Sequence, residues 1–216
     1  MMFRLFLTAL TAASLAMAPA GASAAEVAPP PARRFEPGDV KLLPGPFEHA
    51  LQLDQRTLLA YEPDRLLAWY RKNAGLTPKA EVYGGWESQG IAGHCLGHYL
   101  SACARIYAAT GNEEFRRRVD HVVAELVECQ RASGDGFVGA MPEGRRVFAE
   151  VSRGEIRSQG FDLNGSWVPW YNLHKLLAGL IDAHRYCKSE QALAVAAGLA
   201  DWAIAVTGNL DDAQWQ

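Results

Sequence analysis

Residues 91–129 read IAGHCLGHYLSACARIYAATGNEEFRRRVDHVVAELVEC, and the pattern in that stretch decides the fold. Ile91, Cys95, Tyr99, Ala102, Cys103 and Ile106 recur at i, i+4 and i+8 spacing, which predicts a helix from about Ile91 to Ala109. Thr110-Gly111-Asn112 then turns the chain. Asn112 is a good N-cap, and Glu113 and Glu114 fall in a first turn where the helix dipole favours anions. The returning helix presents Phe115, Val119, Val122, Leu126 and Cys129 and stops near Gly134. The stretch therefore predicts an antiparallel helical hairpin.

The same plan recurs on both sides. Tyr171 to Cys187 carries Leu177, Leu180, Ile181 and His184, Ser189 with Glu190 caps a return, and Gln191 to Val206 is apolar nearly all round. That last pattern predicts a buried helix. Tyr107 and Tyr186 stand at matching points before the two turns, a weak repeat of roughly 80 residues. Upstream, Pro46 opens a helix with Phe47, Ala50, Leu51 and Leu58. Pro63 suits the first turn of the next, which carries Leu66, Leu67 and Tyr70 and ends at Gly75. The first helices of the two later hairpins must run the same way, with their N-termini at one end. Three stacked hairpins predict an all-α chain of the α/α-toroid or α-solenoid kind, and three is half of a six-hairpin toroid. The segment Gly134–Trp170 is too long for a plain connection. Within it Gly136–Val138 and Arg146–Phe148 are expected to pair as a small β-hairpin, and Glu143, Glu150 and Glu155 are candidate carboxylates.

The start of the chain reads as an export signal: Arg4, an apolar run from Leu5 to Met17, and the small residues Ala22-Ser23-Ala24. Residues 1–24 are expected to be a signal peptide, 25–40 a proline-rich lead-in and 41–216 the helical portion. Export implies a periplasmic or extracellular protein with no membrane attachment after cleavage. The net charge is −3 with both signs mixed along the chain, which argues against a nucleic-acid partner. Arg116-Arg117-Arg118 beside Glu113 and Glu114 reads as a solvated, salt-bridged face. Cys95, Cys103, Cys129 and Cys187 fall inside helical patterns without a CxxC pair and read as small core fillers, with a Cys95–Cys129 bridge left open.

The chemistry gathers before the two parallel helices. One loop is Tyr83-Gly84-Gly85-Trp86-Glu87-Ser88-Gln89-Gly90, and the other is Phe161-Asp162-Leu163-Asn164-Gly165-Ser166-Trp167-Val168-Pro169-Trp170. Each offers tryptophan, a carboxylate and an amide. A sugar ring needs a flat apolar face to stack on and planar groups for its hydroxyls; the competing reading is that the tryptophans only seal the mouth. His94 and His98 share one helix face, and His174 lies early in the next parallel helix. His94 and His98 read as sugar contacts, satisfied core histidines or metal ligands, in that order. No metal ligand is assigned, because the HExxH glutamate and a third ligand are missing.

Gly85-Trp86-Glu87, Gly93-His94-Cys95-Leu96-Gly97-His98-Tyr99-Leu100-Ser101-Ala102, Val127-Glu128-Cys129-Gln130 and Trp167-Val168-Pro169-Trp170-Tyr171-Asn172-Leu173-His174-Lys175-Leu176-Leu177-Ala178-Gly179-Leu180 resemble glycoside hydrolase family 127 and its relative family 146. The resemblance covers about Val40 to the C-terminus and implies the N-terminal part of an (α/α)6-barrel catalytic domain acting on β-L-arabinofuranosides of plant-type glycans. It also implies a retaining mechanism with a zinc-held cysteine thiolate as nucleophile and a glutamate as acid/base. Those groups are expected downstream of Gln216, so zinc belongs to the full-length enzyme and the 216-residue piece is expected to bind none and to be inactive. The residues carried over are substrate-binding: Trp86, Glu87, His94, His98 and His174. The alternative is a non-catalytic helical-repeat module that binds a glycan or a partner.

Overall fold

The computed structural model describes residues 32, 34–88 and 90–215. The signal segment at 1–24, almost all of 25–33, and Gln89 lie outside them. Phe35–Gln216 cluster as one unit. Its helices are α1 (Pro46–Ala60), α2 (Pro63–Asn73), α3 (His94–Thr110), α4 (Glu113–Ser133), α5 (Gly144–Ser152), α6 (Pro169–Cys187) and α7 (Glu190–Thr207). Three two-residue strands, β1 (Ser158–Gln159), β2 (Asp162–Leu163) and β3 (Ser166–Trp167), pair antiparallel in the order β1-β2-β3. The domain is all-α in character, as an α/α toroid requires.

The capping chemistry read from the sequence is present. Asn112 accepts the Glu114 N–H at the start of α4, and Ser189 accepts the Ala192 N–H at the start of α7. Gly111 and Gly134 end α3 and α4 in the left-handed conformation.

The packing of α3 on α6 sets the geometry of everything functional. A Cβ on Gly97 would lie 2.2 Å from the Lys175 carbonyl oxygen, and one on Gly179 would lie 2.6 Å from the Gly97 carbonyl oxygen. Both helices lack side chains where they cross, so the backbones touch. The contacts advance together, Gly97 meeting Lys175–Leu176 and Leu100 meeting Gly179, so the two helices run parallel with their N-termini at one end. Arg105 grips Asp182 across the same pair through Nε and Nη2, at 2.9 and 3.1 Å. Tyr70, Leu96, Leu100, Phe115, Leu126, Leu176, Leu180 and Leu199 fill the core. The buried Arg71 bridges Glu125 and Glu128, tying α2 to α4.

Three details depart from the sequence reading. Arg146–Phe148 do not form a strand: they lie in α5, where Val147, Phe148 and Val151 turn one apolar face to the core and Arg146 pairs with Glu150 one turn on. The i, i+1, i+4 spacing is helical, and the small sheet forms later, at 158–167. Helix α3 starts at His94, because Gly93 adopts a φ of +97°. Helix α7 buries only Ala192, Val195, Ala196, Leu199 and Trp202, leaving Leu193 and Ile204 exposed. Among the described residues no helix is long and apolar enough to cross a membrane.

Candidate functional site

Two loops approach each other where α3 and α6 begin. The first is a 3-10 turn at Gly85–Ser88, pinned from α2 by the Trp69 indole N–H, which donates to the Glu87 carbonyl at 2.8 Å. The second is the β1–β3 meander. There Asn164 accepts the Arg157 N–H and donates to the Glu155 carbonyl, and Asp162 accepts the Gly165 N–H. Val168 joins β3 to α6 at a φ of +46°. A β-branched residue in that region is strained, and such strain is retained where the surroundings over-determine it.

Between the loops lies a cluster of rings. The Trp86 and Trp167 ring centres are 6.4 Å apart, edge to face, and Trp86 lies 6.1 Å from His94. His94 lies 6.2 Å from His98 and 6.4 Å from Tyr171. His98 Nε2 is 3.3 Å from the Tyr171 hydroxyl. Trp86 is 62% exposed, and Trp167, Tyr171, His98 and His174 are also exposed, so faces and polar edges meet solvent together. Trp170 instead packs on Phe148 at 4.8 Å, in the sealing role.

Behind the rings the polar groups are buried. Glu87 is 5% exposed and His94 8%. The Glu87 carboxylate accepts the Gly93 N–H at 3.0 Å and the Cys95 N–H at 3.2 Å, at the positive end of α3. Its Oε1 is also 3.1 Å from His94 Nδ1. Nδ1 lies 2.9 Å from the Ile91 carbonyl. Both neighbours only accept, so Nδ1 carries the proton and Nε2 faces the Cys95 sulfur at 3.4 Å. Burial, and then the Glu87 carboxylate, push the Cys95 thiol up to about 12. His98 is held below the ordinary imidazole value, first by burial and then by Lys175, His94 and His174.

The structure thus brings Trp86, Glu87, His94 and His98 together, and His174 lies exposed in the second turn of α6, without a ring or hydrogen-bond contact to them among the described residues. Three groups at this end were not singled out from the sequence. Tyr171 and Cys95 are two of them. The third is Asn172, 2% exposed, neither of whose amide atoms has a partner. The α3–α6 register sets Asn172 one turn before the Lys175–Leu176 crossing, level with Gly93. Buried amides without partners are costly and concentrate where a ligand or an ordered water completes them. By contrast, Glu143, Glu150 and Glu155 pair with Arg146, Arg157 and Arg153 around α5 and the strand that follows it.

All four cysteines are free thiols. Cys103, Cys129 and Cys187 are buried on α3, α4 and α6, and among the described residues only Cys95 has both a histidine nitrogen and a carboxylate oxygen within 4.8 Å of its sulfur. The described residues therefore do not fit the zinc-held thiolate centre that the resemblance implies, which needs several cysteines and a glutamate together. Glu87, His94 and Cys95, whose donor atoms lie within 4.8 Å of one another, are compatible with a metal ion of their own.

A family model described as beta-L-arabinofuranosidase, GH127 catalytic domain, matches residues 39–216. No curated protein matches the chain.

Proposed function

The chain belongs to the GH127 β-L-arabinofuranosidase catalytic-domain family, and on that premise we propose that the paired loops before α3 and α6 bind a terminal β-L-arabinofuranosyl unit of a plant-type glycan. The observation that carries the proposal is the exposed Trp86–Trp167 pair beside a cluster of rings in which His94 lies 6.1 Å from Trp86 and the exposed His98 6.2 Å from His94. Trp86 and Trp167 supply apolar faces for the sugar ring. His98 and His174 supply hydrogen bonds to its hydroxyls, and Glu87 with His94 hold the floor of the site in position.

Among the described residues the two loops hold two carboxylates, Glu87 and Asp162, and both are engaged by backbone N–H groups. Hydrolysis of a glycosidic bond requires two acidic groups, or an acid and another nucleophile, across the sugar. The reading is therefore that these residues bind and orient the sugar while the bond-breaking groups and the family's zinc belong to residues not among them. The same observation favours, as second reading, a glycan-binding role without chemistry. Residues 1–24 fit an export signal, so the partner glycan would be met outside the cytoplasm.

The test is to titrate the purified chain with methyl β-L-arabinofuranoside by calorimetry and to assay the same sample for arabinose release. Binding that is lost in Trp86→Ala, with no release, is expected. Absence of binding would defeat the sugar-site reading, and measurable release would defeat the assignment of chemistry elsewhere.

A further inference from the structure

The Glu87–His94–Cys95 cluster has a geometry that sugar binding does not require. His94 and Cys95 are adjacent at the first turn of α3, and their donor atoms, Nε2 and Sγ, face each other at 3.4 Å. Around a tetrahedral ion with bonds of about 2.3 Å to sulfur and 2.0–2.1 Å to nitrogen, two neighbouring ligands stand about 3.6 Å apart. The observed spacing is close to that edge. The far side of the imidazole is already arranged as metal-bound histidines usually are: Nδ1–H is donated to the Ile91 carbonyl at 2.9 Å, and the Glu87 carboxylate stands 3.1 Å from the same nitrogen, so both acceptors fix the tautomer and the ring. Glu87 is in turn held by the Gly93 and Cys95 N–H groups, so the chain of support runs into the backbone.

We propose that Cys95 Sγ and His94 Nε2 form a binding site for a soft divalent cation of the zinc or cobalt class, with Glu87 as the residue that positions the imidazole. A sulfur and nitrogen donor pair selects such ions over magnesium and calcium. Entry is through the cavity that Cys95 lines. Cys95 is only half-buried and lines a cavity of about 230 Å³ shared with Leu58, Tyr61, His98 and Tyr99. The remaining coordination positions open toward that cavity and are filled by water. Binding replaces the thiol proton by the metal: one S–H bond breaks, one metal–sulfur bond forms, and one proton leaves to solvent, with no change in oxidation state. The site is separate from the cysteine-rich zinc centre of the family and does not depend on the sugar-binding reading.

The probe is Co²⁺ added to the full chain under reducing conditions, followed by near-ultraviolet absorption, where thiolate-to-cobalt charge transfer appears. The expected result is a band that saturates at one Co²⁺ per chain, releases one proton and is displaced by Zn²⁺. Cys95→Ser, a near-isosteric change at a half-buried position, should abolish the band, while Cys103→Ser should leave it. Glu87→Gln should keep the band but weaken Co²⁺ binding about 10–100-fold. A chain that shows no band, or a band that survives in Cys95→Ser, would overturn the proposal, as would one lost only in Cys103→Ser. Thermal melting of each variant without metal separates a lost ligand from a lost fold.

Discussion

At the scale of single residues, Glu87 does two things: it caps α3 and fixes His94. Replacing a buried carboxylate that accepts two backbone N–H groups removes charge-assisted hydrogen bonds worth about 1.5–3 kcal/mol. Glu87→Ala is expected to lose about that much stability in urea denaturation, and an unchanged midpoint would show that the cap is idle. His98 gives a pH prediction. Its folded value is lowered from the ordinary 6.5 by burial and by Lys175. The unfolded chain therefore takes up the proton first as pH falls, so stability is fully present above 6.5 and declines below it. With a chelator present, His98→Asn should flatten that decline, and the His98 ring resonance should titrate below 6.5. Glu87, His94 and His98 were legible in the sequence because they sit at fixed spacings beside a helix start. Cys95 and Asn172 were not, because a periodic reading counts Cys95 as one more apolar position and passes over a lone amide. Their roles come from a carboxylate and a helix that reach them through space.

At the scale of elements, the α3–α6 contact is the decisive feature. Alanine is the better helix former by about 0.8–1 kcal/mol, so helix propensity alone predicts that Gly97→Ala stabilises. The Cβ would stand 2.2 Å from the Lys175 carbonyl oxygen, however, and the backbones must part. The expected result is a net loss of about 1–3 kcal/mol together with weaker sugar binding. Gly111→Asn, at a left-handed turn with open space, should cost a few tenths of a kilocalorie at most. Equal effects from the two substitutions would contradict the packing account. The long helices and their caps were readable because Asn112, Ser189, Gly111 and Gly134 carry local signals that tertiary structure does not override. Helix α5 was not, since Val147 and Phe148 alone look like strand residues and only the return of Val151 against the core reveals the helical period.

At the scale of the whole molecule, a family that cleaves arabinofuranosides and a fold of stacked helical hairpins converge on one arrangement. Two parallel helices present their N-termini, and the loops before them carry the rings, at the same end. The repeat of roughly 80 residues foretold that shared end, and the direct crossing at Gly97 and Gly179 supplies the distance between the two loops, which no linear pattern encodes. The central claim is that both loops act on one sugar. The most direct test follows the indole N–H resonances of Trp86, Trp167 and Trp202 while methyl β-L-arabinofuranoside is added. The account predicts that Trp86 and Trp167 shift together with one dissociation constant while the buried Trp202 stays still. Shifts of only one of the two loop tryptophans, or of neither, would contradict it.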